Sequence, residues 1–171
     1  DYDNALSCIE TLKSPSAKMM KAKQNVLYRL GMRELQAGKT TSAADFLTRA
    51  DELAQYDSKV AQEVKLWLAE TRYRQKKYKQ AQTLYNQYVI NAAATAANYG
   101  RGNYGLGYAS YQLCEYFTAL AAFNKAANAA DITGTLRADT YNRIADCHYY
   151  NRDFAKAETF YSKALALGTA N

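Results

Sequence analysis

Displaced by 38 residues, the sequence falls back into register with itself along its whole length, and few architectures permit that. One alanine recurs at Ala5, Ala43, Ala81, Ala119 and Ala157. Four residues after it stands a large side chain: Ile9, Leu47, Tyr85, Phe123 and Tyr161. A third column follows three residues later as Leu12, Ala50, Tyr88, Ala126 and Ala164. Three residues before the alanine comes an aromatic in Tyr2, Tyr78, Tyr116 and Phe154, with Thr40 the exception. Earlier in each unit Leu or Ile precedes a small residue: Leu30-Gly31, Leu68-Ala69, Leu106-Gly107 and Ile144-Ala145. A period in this range marks a chain built from one repeated supersecondary unit.

The spacing also names the unit. Residues at i, i+4 and i+7 share one face of a helix. The Leu-Gly/Ala pair belongs to a second helix that precedes the break before the aromatic. Small residues let two backbones approach, and the large residue of one helix fills the groove of the other. Each unit is thus a helix hairpin that cannot bury its apolar face alone, and stacking of units buries it. One Pro in the chain and 16 Tyr agree with long helices whose tyrosines pack between them. Helices are predicted at about 16–37, 41–55, 58–75, 78–93, 98–114, 116–130, 136–151 and 153–167, pairing as hairpins over 16–55, 58–93, 98–130 and 136–167. Residues 1–13 read as the second helix of a leading half repeat. Ser14-Pro15 is the expected start signal of the next helix, Asp57-Ser58 and 131–135 are further breaks, and 92–97 either extends a helix or links two. With no polar capping helix after Leu167, the chain is expected to be one solenoid segment, 1–171, taken from a longer array.

Composition narrows the function. Apolar residues are 49% and charged residues 22%, as in a folded chain rather than a disordered one. No run is long and apolar enough for a membrane span, and no secretion signal opens the sequence. Cys8, Cys114 and Cys147 are too few and too widely spaced for a disulfide framework or a metal knuckle, so they read as small core hydrophobes. His148 is the only histidine, which excludes a His-rich metal site.

Two segments invite a chemical reading. Gly100-Arg101-Gly102-Asn103-Tyr104-Gly105 matches G-x-G-x-x-G, but no hydrophobic strand precedes it and no acid lies about 20 residues on. The remaining reading is a weakened helix start, locally mobile or open to a ligand at its backbone. Lys59 to Lys79 carries seven Lys or Arg against Glu63 and Glu70, with Arg72, Arg74, Lys76, Lys77 and Lys79 around one turn. With a net charge of +6 this leaves a solvated turn, an acidic protein surface or nucleic acid as readings. No paired catalytic carboxylates, nucleophile elbow, Walker loop or C-x-x-C occurs, so neither an enzyme nor a cofactor is expected.

Leu106-Gly107 with Tyr116, Ala119, Phe123 and Ala126, and then the run Tyr149 to Ala164, resemble the tetratricopeptide repeat family. The likeness extends over the whole chain. It departs from the family in its 38-residue period against the usual ~34, in the missing closing proline and in the absent early Trp. The resemblance implies an all-α helix-hairpin solenoid that binds a partner protein or peptide, with the first helix of each unit lining the concave face. Carried onto this register, the lining is Asn25, Tyr28 and Met32; Glu63, Leu66 and Glu70; Arg101, Tyr104 and Tyr108; and Asp139, Asn142 and Asp146. Trp67 joins it, and Leu35, Tyr73, Tyr111 and Tyr149 form a deeper row. The favoured groove is Tyr28, Met32, Trp67, Glu70, Arg101, Tyr104, Tyr108, Asn142 and Asp146, with a notch at Gly105 to receive a side chain. Its acids would favour positive charge at the ends of the bound segment, and Arg101 an acidic group at its centre.

The family's carboxylate-gripping mode is excluded, because Tyr28, Met32, Trp67 and Gly105 occupy its positions and only Arg101 fits. The hairpin from Tyr73 to Val89 and the closing unit also resemble bacterial cell-envelope members of the family, which implies an envelope or periplasmic location. Two alternatives stay open: an assembly or oligomerisation module, self-associating through its ends, and a helical-repeat nucleic-acid binder.

Overall fold

The computed structural model describes residues 1–168, and among these there are nine α-helices and no strand. The chain divides into two compact units, Asp1–Lys77 and Tyr78–Asn171. The first holds α1 (Tyr2–Glu10), α2 (Ala17–Gln36), α3 (Thr40–Asp51) and α4 (Ser58–Arg74). The second holds α5 (Tyr78–Asn91), α6 (Tyr99–Gln112), α7 (Tyr116–Ala127), α8 (Gly134–Tyr150) and α9 (Phe154–Gly168). The expectation about a capping segment after Leu167 falls largely on residues outside those described.

Helix starts follow local chemistry. The α2 cap is Ser16, whose Oγ accepts from the Met19 N–H at 3.3 Å. The sequence reading placed the cap two residues early, at Ser14: Pro15 lies outside the helix and Ser16 takes up an orphan N–H. Asp57 caps α4 as expected, its Oδ1 accepting from the N–H groups of Lys59 and Val60. Residues 92–98 leave the helix and turn between α5 and α6.

Helix ends repeat more strictly than the letters do. After α2, α4, α6 and α8 the second linking residue is left-handed: Gly38 (φ 76°), Lys76 (φ 59°), Cys114 (φ 60°) and Arg152 (φ 62°). Each is 38 residues from the last, yet only one is glycine. The hydrogen bonds are equally periodic. Gly38 N–H donates to Leu35 O and Lys39 N–H to Glu34 O, and the same pair recurs as Arg152 to Tyr149 and Asp153 to His148. This is the Schellman closure, which satisfies two orphan carbonyls and turns the chain back in three residues. The longer connections, 52–57, 92–98 and 128–133, join one hairpin to the next and accommodate the long period.

Packing realises the repeat. In the first unit Leu6, Leu27, Leu30, Ala50 and Val64 form a core against which Val26, Tyr28 and Phe46 lean. Leu47 is buried against Gly31, where an added Cβ would come within 2.6 Å of its Cγ. In the second unit Ala119, Phe123, Ala127, Ile144 and Cys147 pack together, and a second cluster joins Ala126, Ala129 and Ile132. Phe123 presses on Gly107 as Leu47 does on Gly31, with Cβ-to-ring distances of 2.6 Å. Four of the five repeated alanines are buried, and Ala5 is only half covered. Ala5 lies in α1, which has α2 on one side only, so its column is incompletely covered.

The glycine-rich segment is helical and not a nucleotide loop. It forms the body of α6, and each glycine admits a neighbour. Gly102 receives the Tyr88 ring, Gly105 the Tyr85 ring and Gly107 the Phe123 ring. The notch expected at Gly105 is therefore filled from within, by a tyrosine only 2% exposed. At the start of α6 the Asp131 carboxylate accepts from the N–H groups of Gly100 and Arg101, both at 2.9 Å. An acid at a helix N-terminus satisfies orphan donors and complements the dipole, which offsets part of the glycines' entropic cost.

Candidate functional site

Each unit presents one set of the residues singled out by the sequence. In the first unit α2 brings Tyr28 and Met32, and α4 brings Trp67 and Glu70; all four are half-buried. Trp67 Nε1 donates to Glu63 Oε2 at 3.3 Å, and Glu70 pairs with Arg74 at 2.7 Å. Burial, with Glu63 nearby, raises the Tyr28 pKa above its ordinary 10, so its hydroxyl stays protonated. Leu66, assigned to the lining, is instead 1% exposed and belongs to the core. Leu35 is also buried. The helix phase that exposes Trp67 turns its predecessor inward.

In the second unit α6 and α8 bring together Arg101, Tyr104, Tyr108, Asn142 and Asp146, and the arrangement is more closely knit. The Tyr104 and Tyr108 hydroxyls both donate to Asp139 Oδ2, at 2.8 and 2.5 Å. Their rings meet edge to face at 4.8 Å, and each meets the Phe123 ring as well, at 6.2 and 5.4 Å. Arg143 lies between two acids, 2.7 Å from Asp146 and 3.9 Å from Asp139, with its guanidinium over the Tyr108 and Tyr111 rings. Burial first, then the bond to Asp139, raises both tyrosine pKa values well above the ordinary range. Both remain hydrogen-bond donors throughout the physiological range. Arg101 is exposed, and Asn142 and Asp146 are half-buried.

This arrangement offers hydrogen-bonding and aromatic surface at fixed geometry. Cys147 is buried, and burial pushes its thiol up to about 12, the opposite of an activated nucleophile. His148 is stacked on Phe160 and lies 3.8 Å from Asp153. Among the described residues no group of three or more His, Cys, Asp or Glu is placed to hold a metal ion, and no helix is long and apolar enough to cross a membrane. Of the basic turn, Arg74 pairs with Glu70, and Arg72 donates to Gln75 and Thr48. Lys79, in the second unit, pairs with Glu115. Sequence reasoning missed Asp139 as the hub of its site, and Arg143 as its central cation. The spacing of Tyr104 and Tyr108, one helical turn apart, was the available signal that both could reach a single acceptor.

Residues 138–171 match the tetratricopeptide repeat family model. The helical fold of the chain is of that tetratricopeptide type. No curated protein sequence matches the chain. Among solved structures, BtubC (BKLC) from P. vanneervenii superposes with a TM-score of 0.79 at 16% identity, over 99% of this chain and 71% of that one. MamA from Desulfovibrio magneticus RS-1 superposes with a TM-score of 0.73 at 17% identity, over 99% and 94%. A Rap protein complexed with competence and sporulation factor gives 0.67 at 18% identity, over 97% of this chain and 46% of its own. These likenesses establish the fold.

Proposed function

We propose that this chain is a protein-interaction scaffold that holds a partner segment on the exposed faces of its first helices. In the second unit Arg101, Tyr104, Tyr108, Asn142 and Asp146 make the contacts; in the first, Tyr28, Met32, Trp67 and Glu70 do so. The observation that carries this reading is the pair of phenols fixed on one oxygen of Asp139, their rings backed by Phe123. Aromatic side chains already locked by neighbours lose little freedom on binding, which is the property of interface anchors. The Rap structure, solved with competence and sporulation factor, is an instance of this fold in complex with a ligand. The nucleic-acid reading has less support, because Arg101 and Arg143 are matched on this face by Asp139 and Asp146.

Affinity capture from the source cells with wild type and an Arg101→Glu, Asn142→Lys variant tests the proposal. Both side chains reach solvent, so the variant should keep its helicity. Partners retained by wild type should fall about tenfold in recovery, equal to about 1.4 kcal/mol of lost affinity. Identical partner lists at equal recovery would sink the reading.

A further inference from the structure

Tyr116 opens α7 and Tyr150 closes α8. Across the junction between their two hairpins the rings lie face to face, with centroids 4.4 Å apart and planes 4° from parallel. The same two positions hold Tyr78 and Gln112 one repeat earlier, and Thr40 and Arg74 two repeats earlier. Of these three pairs only the last is two phenols. Tyr150 is 54% exposed. That exposure belongs to the repeat and not to the end of the chain, since Gln36, Arg74 and Gln112 at the same position are exposed as well.

Both rings are held in place by their neighbours. Tyr111 meets Tyr116 edge to face at 5.5 Å and Tyr150 at 6.1 Å, and its hydroxyl is hydrogen-bonded to that of Tyr150. The Tyr116 hydroxyl is hydrogen-bonded to the Cys114 thiol. Tyr104 and Tyr108 make the contrast. Their rings are half-buried and inclined at 61°, and both hydroxyls donate to Asp139. Inclined rings bring the edge of one to the face of the other, whereas parallel rings lay carbon against carbon over a shared area.

We infer that Tyr116 and Tyr150 are a site of oxidative cross-linking, joined as dityrosine by a one-electron oxidant of the haem-peroxidase class driven by hydrogen peroxide. Each phenol gives up one electron and, from its hydroxyl, one proton. The unpaired electron spreads to the carbons ortho to the oxygen, and one such carbon from each ring forms the new carbon–carbon bond. Each joined carbon then releases its hydrogen as a proton and each oxygen takes one up, which restores both aromatic rings. The chain loses two hydrogens in all, and one hydrogen peroxide becomes two waters. Two groups held in contact react in a unimolecular step, which sets this pair apart from tyrosines that must first find a partner. The bond ties the α6–α7 hairpin to the α8–α9 hairpin and so locks the junction between two repeats. It restricts the unfolded chain as a disulfide does. Neither residue belongs to the set assigned to partner binding, and the inference stands apart from that proposal.

The test treats the dilute chain with a haem peroxidase and hydrogen peroxide. Dityrosine fluorescence should appear, the intact mass should fall by two hydrogens without a covalent dimer, and fragmentation of the digest should join Tyr116 to Tyr150. Tyr116→Phe and Tyr150→Phe keep the rings and remove the reacting hydroxyls. Each should lower the yield about tenfold, while Tyr149→Phe leaves it unchanged. The cross-linked chain should melt at a higher temperature than the untreated one. Equal yields from all three variants would overturn the inference. So would a bond mapped to Tyr104 and Tyr108, a yield that rises with protein concentration, or consumption of the Cys114 thiol with no dityrosine formed.

Discussion

Helices α2 and α6 occupy the same place in the repeat, yet they solve the packing problem with opposite allocations of volume. Helix α2 is 20 residues long and fills its surroundings with its own Leu27, Leu30 and Leu35, yielding space only at Gly31. Helix α6 is 14 residues long and yields space at Gly102, Gly105 and Gly107, into which Tyr88, Tyr85 and Phe123 project. A repeat of this kind fixes the distance between helices and the total volume between them, and leaves open which helix supplies it. The exchange has a consequence. The rings of Tyr85, Tyr88 and Phe123 fill the space that α6 yields, and Phe123 is the floor on which Tyr104 and Tyr108 rest.

The largest expected effects come from emptying these contacts. Phe123→Ala should cost about 3–5 kcal/mol and Leu47→Ala about 2–5 kcal/mol by cavity formation, read by denaturant unfolding. Only Phe123→Ala should also disturb the near-ultraviolet signal of the Tyr104–Tyr108 pair. Equal spectra for both variants would break the contrast between the units.

Overfilling is the next step down. Ala119→Leu should cost about 1–3 kcal/mol, because Ala119 has no exposed surface. Gly107→Ala should destabilise despite its ~1 kcal/mol gain in helix propensity, since the new Cβ would stand 2.6 Å from the Phe123 ring. Combining Gly107→Ala with Phe123→Leu should recover part of that loss. Without any recovery, the paired-volume account of α6 fails.

The left-handed turns give a smaller effect of opposite sign. Arg152→Gly and Lys76→Gly should each stabilise by about 1 kcal/mol, as a side chain at positive φ is relieved. Gly38 already holds glycine, so Gly38→Ala should destabilise by a similar amount.

The smallest expected effect is acid sensitivity. Burial lowers the His148 pKa below 6.5 against the opposing pull of Asp153. The folded protein then binds that proton less readily than the unfolded chain. Stability from this group is full above about pH 6.5 and falls as the pH drops toward the lowered folded value. His148→Gln should flatten that segment of a melting-temperature profile. Four carboxylates add further losses: Glu115, held down mainly by Gln82, below about pH 4.5, and Asp57, Asp3 and Asp153, held down mainly by Lys21, Arg33 and Lys156, below about pH 3.8.

By itself the sequence determined the helices, their 38-residue register and the burial of Ala43, Ala81, Ala119 and Ala157. Those follow from where apolar and small residues fall on a 3.6-residue helix, which is local information. It also placed Tyr104, Tyr108, Asn142 and Asp146 on the helices where they are found. The tertiary structure alone decided what the glycines of α6 are for, because an empty position reads the same whether a ligand or the Tyr85 ring enters it. It alone turned the phenols onto Asp139, a residue 31 and 35 positions away that shares no motif with them. The turns at Lys76, Cys114 and Arg152 were likewise hidden, since left-handed backbone is normally announced by glycine. At Cys114 and Arg152 the packing of α6 on α7 and of α8 on α9 imposes the conformation, and the cost of a side chain at positive φ is small beside the burial that each hairpin secures.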